Sequence, residues 1–408
     1  MLTKSSTELV RQQNSGLVLS ALRKHRVLSH TDISQHTGLA SATVSAITAE
    51  LERQRIIERQ EQQPATGRGR PRVLFSQRRD VGFLVAVRIS SDIVQYSLAD
   101  FSGTLIDRFE EVRDHGDPST EHFAQILRAA LLRLARRSSL SPESILRVSI
   151  SSKGLVDGER PVLLWSPVFG DRQIDFAACL PDGWPAVVNL NNESLLVAHA
   201  LSMRMDRGPD AGPAGMAVLS LGHSVGLGIA RRDRAGDIHV SAPNFGHMLN
   251  AADGKLCRCG SVGCIEASAG FYGILRAAFE VPPDTIPAKF VPIAEMDKIA
   301  LRARQGHRMS EYAFRQAGMA LGQGLSRVFS LYDTMSVAIT GPGTRYMDLL
   351  TRGFEEGLRQ SQHIRLQGMP RLSIVPEEST LVFEGHLDRG LREIDQQIAS
   401  VRMKAVAS

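Results

Sequence analysis

Apolar positions in this chain change their spacing near residue 78, and the change divides it into a short head and a long body. Between Asn14 and His25, Leu17, Val18, Ala21 and Leu22 recur at helical spacing. Ser29-His-Thr-Asp32 opens a second short helix with Ile33 facing inward. Gly38, in Thr37-Gly-Leu39, is the natural left-handed residue for the turn that follows. Ser41 is expected to cap a third helix, Ala42 to Arg53, which buries Val44, Ile47 and Leu51. Helix, glycine turn, helix is the helix-turn-helix pattern. Ile56–Arg59 and Val73–Phe75 read as two short strands of a winged version.

Beyond residue 78 strands alternate with helices. Gly82–Ser90 and Ile93–Ala99 read as paired strands, with a third after Gly103 and an amphipathic helix over about 119–137. A strand at Leu146–Ser151 leads into a loop, Gly154–Asp157, and a strand at Val187–Leu190 feeds a helix beginning near Asn192. A second system starts at Met216–Leu221, turns at Gly222 and returns through Val225–Ala230. Helices follow over about 297–306 and 309–330, then a strand at Ser336–Thr340, a helix over about 345–359, a strand over about 371–375 and a last helix from about 379 to 399. Two successive sheet-and-helix units predict two α/β lobes with a cleft between them. The expected division is a winged head at 1–78, a first lobe at 79–190 completed by the C-terminal helix 379–408, and a second lobe at 191–378.

Composition adds little except in its charge. At 43% hydrophobic and 22% charged residues, the chain reads as a globular protein with ample core. No apolar run approaches the roughly 20 residues of a membrane span, and the N-terminus lacks a secretory pattern. Four cysteines, three of them clustered, fit a reducing compartment and a metal better than a disulfide framework. A cytoplasmic protein without membrane contact is the expectation. Of 48 Lys+Arg and 43 Asp+Glu, 11 and 6 fall in residues 1–76, leaving 37 against 37 in the remainder. All the net charge of +5 is therefore accounted for by residues 1–76. A basic helix-turn-helix on a neutral body suggests double-stranded DNA as a partner. Ser41, Thr43 and Ser45 stand where a major-groove reader places its contacts. The Gly- and Pro-rich segment 64–72 would carry Arg68, Arg70 and Arg72 along a thin wing suited to a narrow minor groove. A flexible basic linker touching only phosphate is the plainer alternative for the wing, and a protein-interaction module for the three helices.

The densest chemistry lies between His247 and Cys264. Cys257, Cys259 and Cys264 stand within eight residues, His247 lies ten residues before the first, and Gly254, Gly260 and Gly263 allow the loop to turn back. Three thiolates and an imidazole are a tetrahedral set for structural Zn²⁺, with no position left for water. Buried or redox-active cysteines are the alternative.

The winged head, this cysteine stretch with the following Glu266, the Gly-Arg-Pro of 69–71 and the order of the body together resemble the ROK family of repressors and sugar kinases, over essentially the whole chain. Within that family the resemblance is to transcriptional repressors that join a winged helix-turn-helix to a kinase-like body. It implies an actin-like, sugar-kinase fold of α/β class and a homodimer or homotetramer. It also implies a phosphate turn of the form Asp-x-Gly-Gly-Thr after the first strand of the body, where this chain has Arg88-Ile-Ser-Ser-Asp92. The second glycine-rich turn is reduced to Gly222-His-Ser-Val-Gly-Leu-Gly228, and the Asn-Asp pair holding the general base has become Asn191-Asn192. An amide cannot take up the proton that a carboxylate would. Catalytic residues are therefore expected to be none.

In sugar-binding relatives the residues matching Asn191, Asn244, His247 and Glu266 contact hydroxyls. Asn244 stands where relatives carry Glu, and amides still hydrogen-bond hydroxyls in both directions. Lys153 introduces a cation at the cleft that would either pair with an anionic group of a ligand or stay solvated. Cys179 reads as a core residue. The expectation is a DNA-binding regulator controlled by a sugar or sugar-derived ligand, bound by Lys153, Asn191, Asn192, Asn244, His247 and Glu266. A body controlled by a protein partner and an active kinase are the alternatives.

Overall fold

The computed structural model describes residues 2–60, 73–113, 119–205, 215–233, 237–251 and 254–407. The head contains helices α1 (Leu2–His25), α2 (His30–Thr37) and α3 (Ser41–Arg53) and strands β1 (Val27–Ser29), β2 (Ile57–Gln60) and β3 (Leu74–Gln77) in the antiparallel order β1-β3-β2. Helix α1 begins a dozen residues before the expected start at Asn14, an extension the sequence does not announce because residues 2–13 carry too few regularly spaced apolar positions. Strand β1 is a third strand that the two expected ones did not include. Ser29 makes a capping box with Asp32 at the start of α2, and Gly38 ends that helix at φ +70°. Ser41 does not cap α3: it is the first helical residue, and Ala40 holds the cap position without a side-chain bond. His30 Nε2 lies 2.8 Å from Thr48 Oγ1, tying α2 to α3.

The first lobe is built on the sheet β11-β7-β4-β5-β6, comprising β4 (Phe83–Ile89), β5 (Ile93–Asp100), β6 (Leu105–Val112), β7 (Ile145–Ser152) and β11 (Val187–Asn192), with helix α4 (Thr120–Arg137) packed on it. The segment expected as a loop at 154–157 instead holds β8 (Leu155–Val156), which joins β9 (Val162–Trp165) and β10 (Ile174–Asp175) in a small separate sheet. Strand β11 runs through Asn192, so Asn191 and Asn192 belong to the first lobe's sheet. Cys179 is buried in this lobe's core.

The second lobe begins with α5 (Glu193–Met205) and has the sheet order β14-β13-β12-β15-β16. Its strands are β12 (Met216–Leu221), β13 (Val225–Arg232), β14 (Ile238–Ser241), β15 (Ser336–Thr340) and β16 (Leu372–Ile374). Its helices are α6 (Ile265–Ala269), α7 (Phe271–Ala278), α8 (Ile293–Arg304), α9 (Arg308–Leu331), α10 (Met347–Arg359) and α11 (Gln362–Gln367). Both five-stranded sheets pair a three-stranded antiparallel meander with two parallel additions, so the same design occurs twice. Helices α9 and α10 approach backbone to backbone: a Cβ on Gly357 would lie 2.5 Å from Met319 O. Larger residues there would force the pair apart.

The chain closes with α12 (Glu378–Ala407), which leaves the second lobe and crosses the first. Leu391 and Ile394 of α12 share one core with Val18 and Leu22 of α1, Ile33, Val44 and Phe75 of the head, and Leu84 and Phe101 of the first lobe. The head is thus packed into the body. Among the described residues, no helix is long and apolar enough to cross a membrane.

Candidate functional site

Two polar centres stand out in the body. The first is the cysteine knot. Leu249 bridges Cys264, Leu256 bridges Val262, and Ile265 N donates to Met248 O at 3.1 Å, folding the stretch back on itself. Gly260 and Gly263 both have φ +84°, and a Cβ on Gly263 would collide with Ala251 O. One potential ligand atom from each of His247, Cys257, Cys259 and Cys264 lies within 4.8 Å of every other. Cys257 Sγ is 3.4 Å from His247 Nδ1, and Cys259 Sγ is 3.6 Å from Cys264 Sγ. Two sulfurs each about 2.3 Å from a tetrahedral zinc would stand roughly 3.8 Å apart. The donor set and its spacing therefore fit a closed four-ligand site. Burial pushes the Cys257 thiol up to about 11 and raises Cys264 as well, whereas at Cys259 burial is outweighed by hydrogen bonds with Ser261, Cys257 and Cys264 together, which lower it. Such thiols ionise readily only beside a cation. The rings of Trp165 and His247 meet edge to face with centroids 4.7 Å apart, joining the small β8–β10 sheet to the knot.

The second centre lies where the lobes meet. Arg88 at the end of β4, Lys153 after β7, Glu193 at the first turn of α5 and Glu378 at the first turn of α12 converge from four distant parts of the chain. Arg88 Nε donates to Glu193, and Arg88 Nη2 reaches Glu378 Oε2 at 3.2 Å. Lys153 Nζ lies 3.6 Å from both Glu193 Oε2 and Glu378 Oε1 and donates to Ser220 Oγ at 3.2 Å. Ser220 in turn donates to Glu378. Burial alone would push the Glu193 carboxyl up and the Arg88 and Lys153 cations down. The opposite charges outweigh it, holding Glu193 below the usual carboxylate range and both cations above theirs. Of the two readings of Lys153 from the sequence, the solvated one is corrected, because two carboxylates of the same chain pair with it, while its side chain also lines the cavity described next. The clasp was invisible in the sequence because its members stand at 88, 153, 193 and 378, with no local spacing to mark them.

Beside the clasp is a cavity of about 340 Å³, lined by the 88–93 turn, Lys153, the 222–224 turn, Phe290 and the 341–342 turn. His223 forms part of its wall with Phe290, their ring centroids 4.5 Å apart, and burial holds its imidazole down near 4. The remaining residues expected to meet ligand do not line this cavity. Asn191 is buried and donates from Nδ2 to Ser149 Oγ at 3.5 Å. Asn192 spends both ends of its amide, donating to Gly154 O at 2.7 Å and accepting from Ser194 N at 2.8 Å. Asn244 is exposed before a short 3₁₀ turn that carries His247. Glu266 is 1% exposed; its Oε2 accepts from Val225 N at 3.1 Å, its Oε1 has no protein partner, and burial raises it. The structure thus places His247 and Glu266 together beside the knot, Asn191 and Asn192 together on β11, and Lys153 in the clasp.

In the head, Ser41 and Ser45 are exposed on the first turns of α3 and Thr43 is half-buried, while Val44, Ile47, Thr48 and Leu51 face the core. Arg68, Arg70 and Arg72 lie outside the described residues.

Comparison with known proteins decides what this architecture is. The ROK family model matches residues 86–362, well over half of the chain, and the IclR helix-turn-helix model matches residues 14–61. The chain belongs to the ROK family. It is 23% identical over 366 residues to the xylose repressor of Caldicellulosiruptor bescii, covering 87% of this chain and 90% of that one. It is 22% identical to the DNA-binding transcriptional repressor Mlc of Escherichia coli, covering 88% and 89%. Among solved structures, a ROK family transcriptional regulator described as a homolog of the E. coli MLC protein superposes with a TM-score of 0.71 at 20% identity, over 98% of this chain and 100% of that one. The expected architecture, an N-terminal helix-turn-helix followed by a two-lobed sugar-kinase-like α/β body, is the one observed.

Proposed function

We propose that this ROK protein is a DNA-binding transcriptional repressor whose body takes a sugar-type effector between its lobes and has lost phosphoryl transfer. The observation that carries the reading is the clasp. A kinase needs backbone N–H groups open to phosphate and a carboxylate base. Here the Arg88 side chain pairs with Glu193 and Glu378, and the base position holds Asn192, whose amide donates to Gly154 O and accepts from Ser194 N. The exposed first turns of α3, on a head that holds all the net positive charge, support DNA as the partner. The similarity to a xylose repressor is compatible with a carbohydrate effector.

In this reading Ser41, Thr43 and Ser45 meet the major groove and the 64–72 wing, with Arg68, Arg70 and Arg72, the minor groove. Asn191, Asn244, His247 and Glu266 meet hydroxyls of the effector. His247, Cys257, Cys259 and Cys264 would hold Zn²⁺, which supplies rigidity to the loop carrying His247 and no chemistry. A two-fold assembly would present two heads to two half-sites, and the protein would act in the cytoplasm, where the DNA is.

The test has two arms. Selection from a randomised duplex pool should enrich one motif, and thermal-shift measurements with xylose, glucose, N-acetylglucosamine and their phosphates should show a stabilising ligand. ATP turnover with any of these sugars would overturn the catalytic part. Enrichment of no motif would overturn the DNA part.

A further inference from the structure

Helix α12 touches every part of the molecule that regulation would have to connect. Its first residue, Glu378, is in the clasp at the cleft. Eight residues on, His386 is 1% exposed, with Nδ1 2.7 Å from Ser149 Oγ and Nε2 2.9 Å from Ser151 Oγ. Those two serines share a face of β7 because strand side chains alternate, and Arg147 on the same face pairs with Glu393 at 2.8 Å. Ser149 also accepts from Asn191, one of the proposed effector contacts. On its other side α12 is tied to α5 of the second lobe through His199 and Asp388 at 2.5 Å and through Arg204 and Glu384 at 2.6 Å.

The far end of the helix enters the head. Asp395 receives a bidentate pair from Arg23 of α1, at 3.0 and 2.9 Å, and the Arg23 guanidinium also lies over the Phe101 ring. Leu391 and Ile394 complete the head's core. Glycines hold the helix close along this path: a Cβ at Gly385 would come within 2.5 Å of Leu196 O, and one at Gly390 within 2.8 Å of the Leu84 side chain. Seventeen residues of helix span about 26 Å between Glu378 and Asp395.

We infer that α12 is the element that couples the cleft to the DNA-reading head, with Glu378 and His386 as positioning residues on the cleft side and Asp395 on the head side. A helix packed this tightly moves as a rod, so a change in the clasp or at Asn191 displaces the surface on which α1 rests. The two states it distinguishes are the clasp closed on Glu378 and the clasp opened by a ligand that draws Arg88, Lys153 or Asn191 toward itself. This inference rests on the proposed effector-controlled DNA binding for its biological sense, but the coupling can be read without DNA.

The experiment is hydrogen exchange on the full-length chain, comparing wild type with Glu378→Gln, Asp395→Asn and Ser149→Ala. Glu378→Gln is expected to raise exchange of the α1 amides over 14–25 at least fivefold, and Asp395→Asn to raise exchange of the 86–93 segment by a similar factor. Ser149→Ala removes one hydroxyl, keeps every charge and tests the same coupling where a charge variant fails to fold; it should raise exchange over 14–25 about twofold or more. Changes confined to the segment around each substitution, in variants with a cooperative melt, would overturn the coupling. Binding of a selected duplex, measured in parallel, separates the two readings. If wild type binds no duplex, the function proposal fails while the exchange data still decide the inference.

Discussion

The cysteine knot and the interlobe clasp are both buried polar centres, and they solve the problem of burial in opposite ways. The knot gathers four metal-type donor groups with no cation among them. The clasp gathers two carboxylates and supplies both counter-cations from the same chain. One centre offers donors to a cation; the other holds its own counter-charges. The second lobe thus carries a metal-type donor cluster, while the place where the lobes meet carries an internal ion network. Its charges tie the first lobe's sheet to the starts of α5 and α12.

Substitutions should break this contrast in order of size. Cys257→Ser is expected to have the largest effect, lowering bound zinc from about one equivalent and lowering the melting temperature more than any clasp variant, as metal analysis and calorimetry would show. An EDTA-treated wild type should reproduce that loss, and zinc should restore only the wild type. Arg88→Met comes next. It leaves Glu193 buried beside a single cation, and losing one partner of a buried ion pair costs about 3–5 kcal/mol. Chemical denaturation should show this loss at unchanged zinc content. Equal sensitivity of the two variants to chelator would erase the distinction between the centres.

Acidification should sharpen the comparison from the clasp side. Burial, with Arg88 and Arg389 nearby, pushes His386 down to about 3, so the folded protein keeps it neutral. Its unfolded value is near 6.5. Between those values the unfolded chain binds the extra proton, so this contribution to stability is complete above about pH 6.5 and falls as pH is lowered toward 3. Melting temperature should therefore fall through pH 6 to 4.5, and His386→Gln should flatten that slope. The smallest expected effect is in the head, where Ser29→Ala removes the capping box of α2 and should cost about 1 kcal/mol without altering zinc content or the clasp.

Legibility in the sequence followed the same division. The knot could be read because His247 to Cys264 is one contiguous stretch and its residue types admit few other uses. The helix-turn-helix was visible through Ile33, Gly38, Val44 and Ile47, although Ser41 proved to be inside its helix. The start of α1 was not visible, since residues 2–13 have no apolar stripe. Lys153 was noticed, but its partners at 193 and 378 are set by tertiary folding and leave no periodic trace. The packing of α12 against α1 was hidden for the same reason: an amphipathic helix shows that it has a buried face and says nothing of what lies against it.

The shared core of α1 and α12 has a consequence for synthesis. Arg23 and Asp395 are 372 residues apart. At about 5–20 residues per second, roughly 20–70 seconds separate the emergence of the two. Through that interval the reading head lacks Leu391, Ile394 and its buried carboxylate partner. A chain cut short by premature termination would carry a head without its finished core, and so would compete poorly for operators with complete molecules. Because Leu391, Ile394 and Asp395 complete the core and ion pair of the head, the head's packing waits on translation past residue 395.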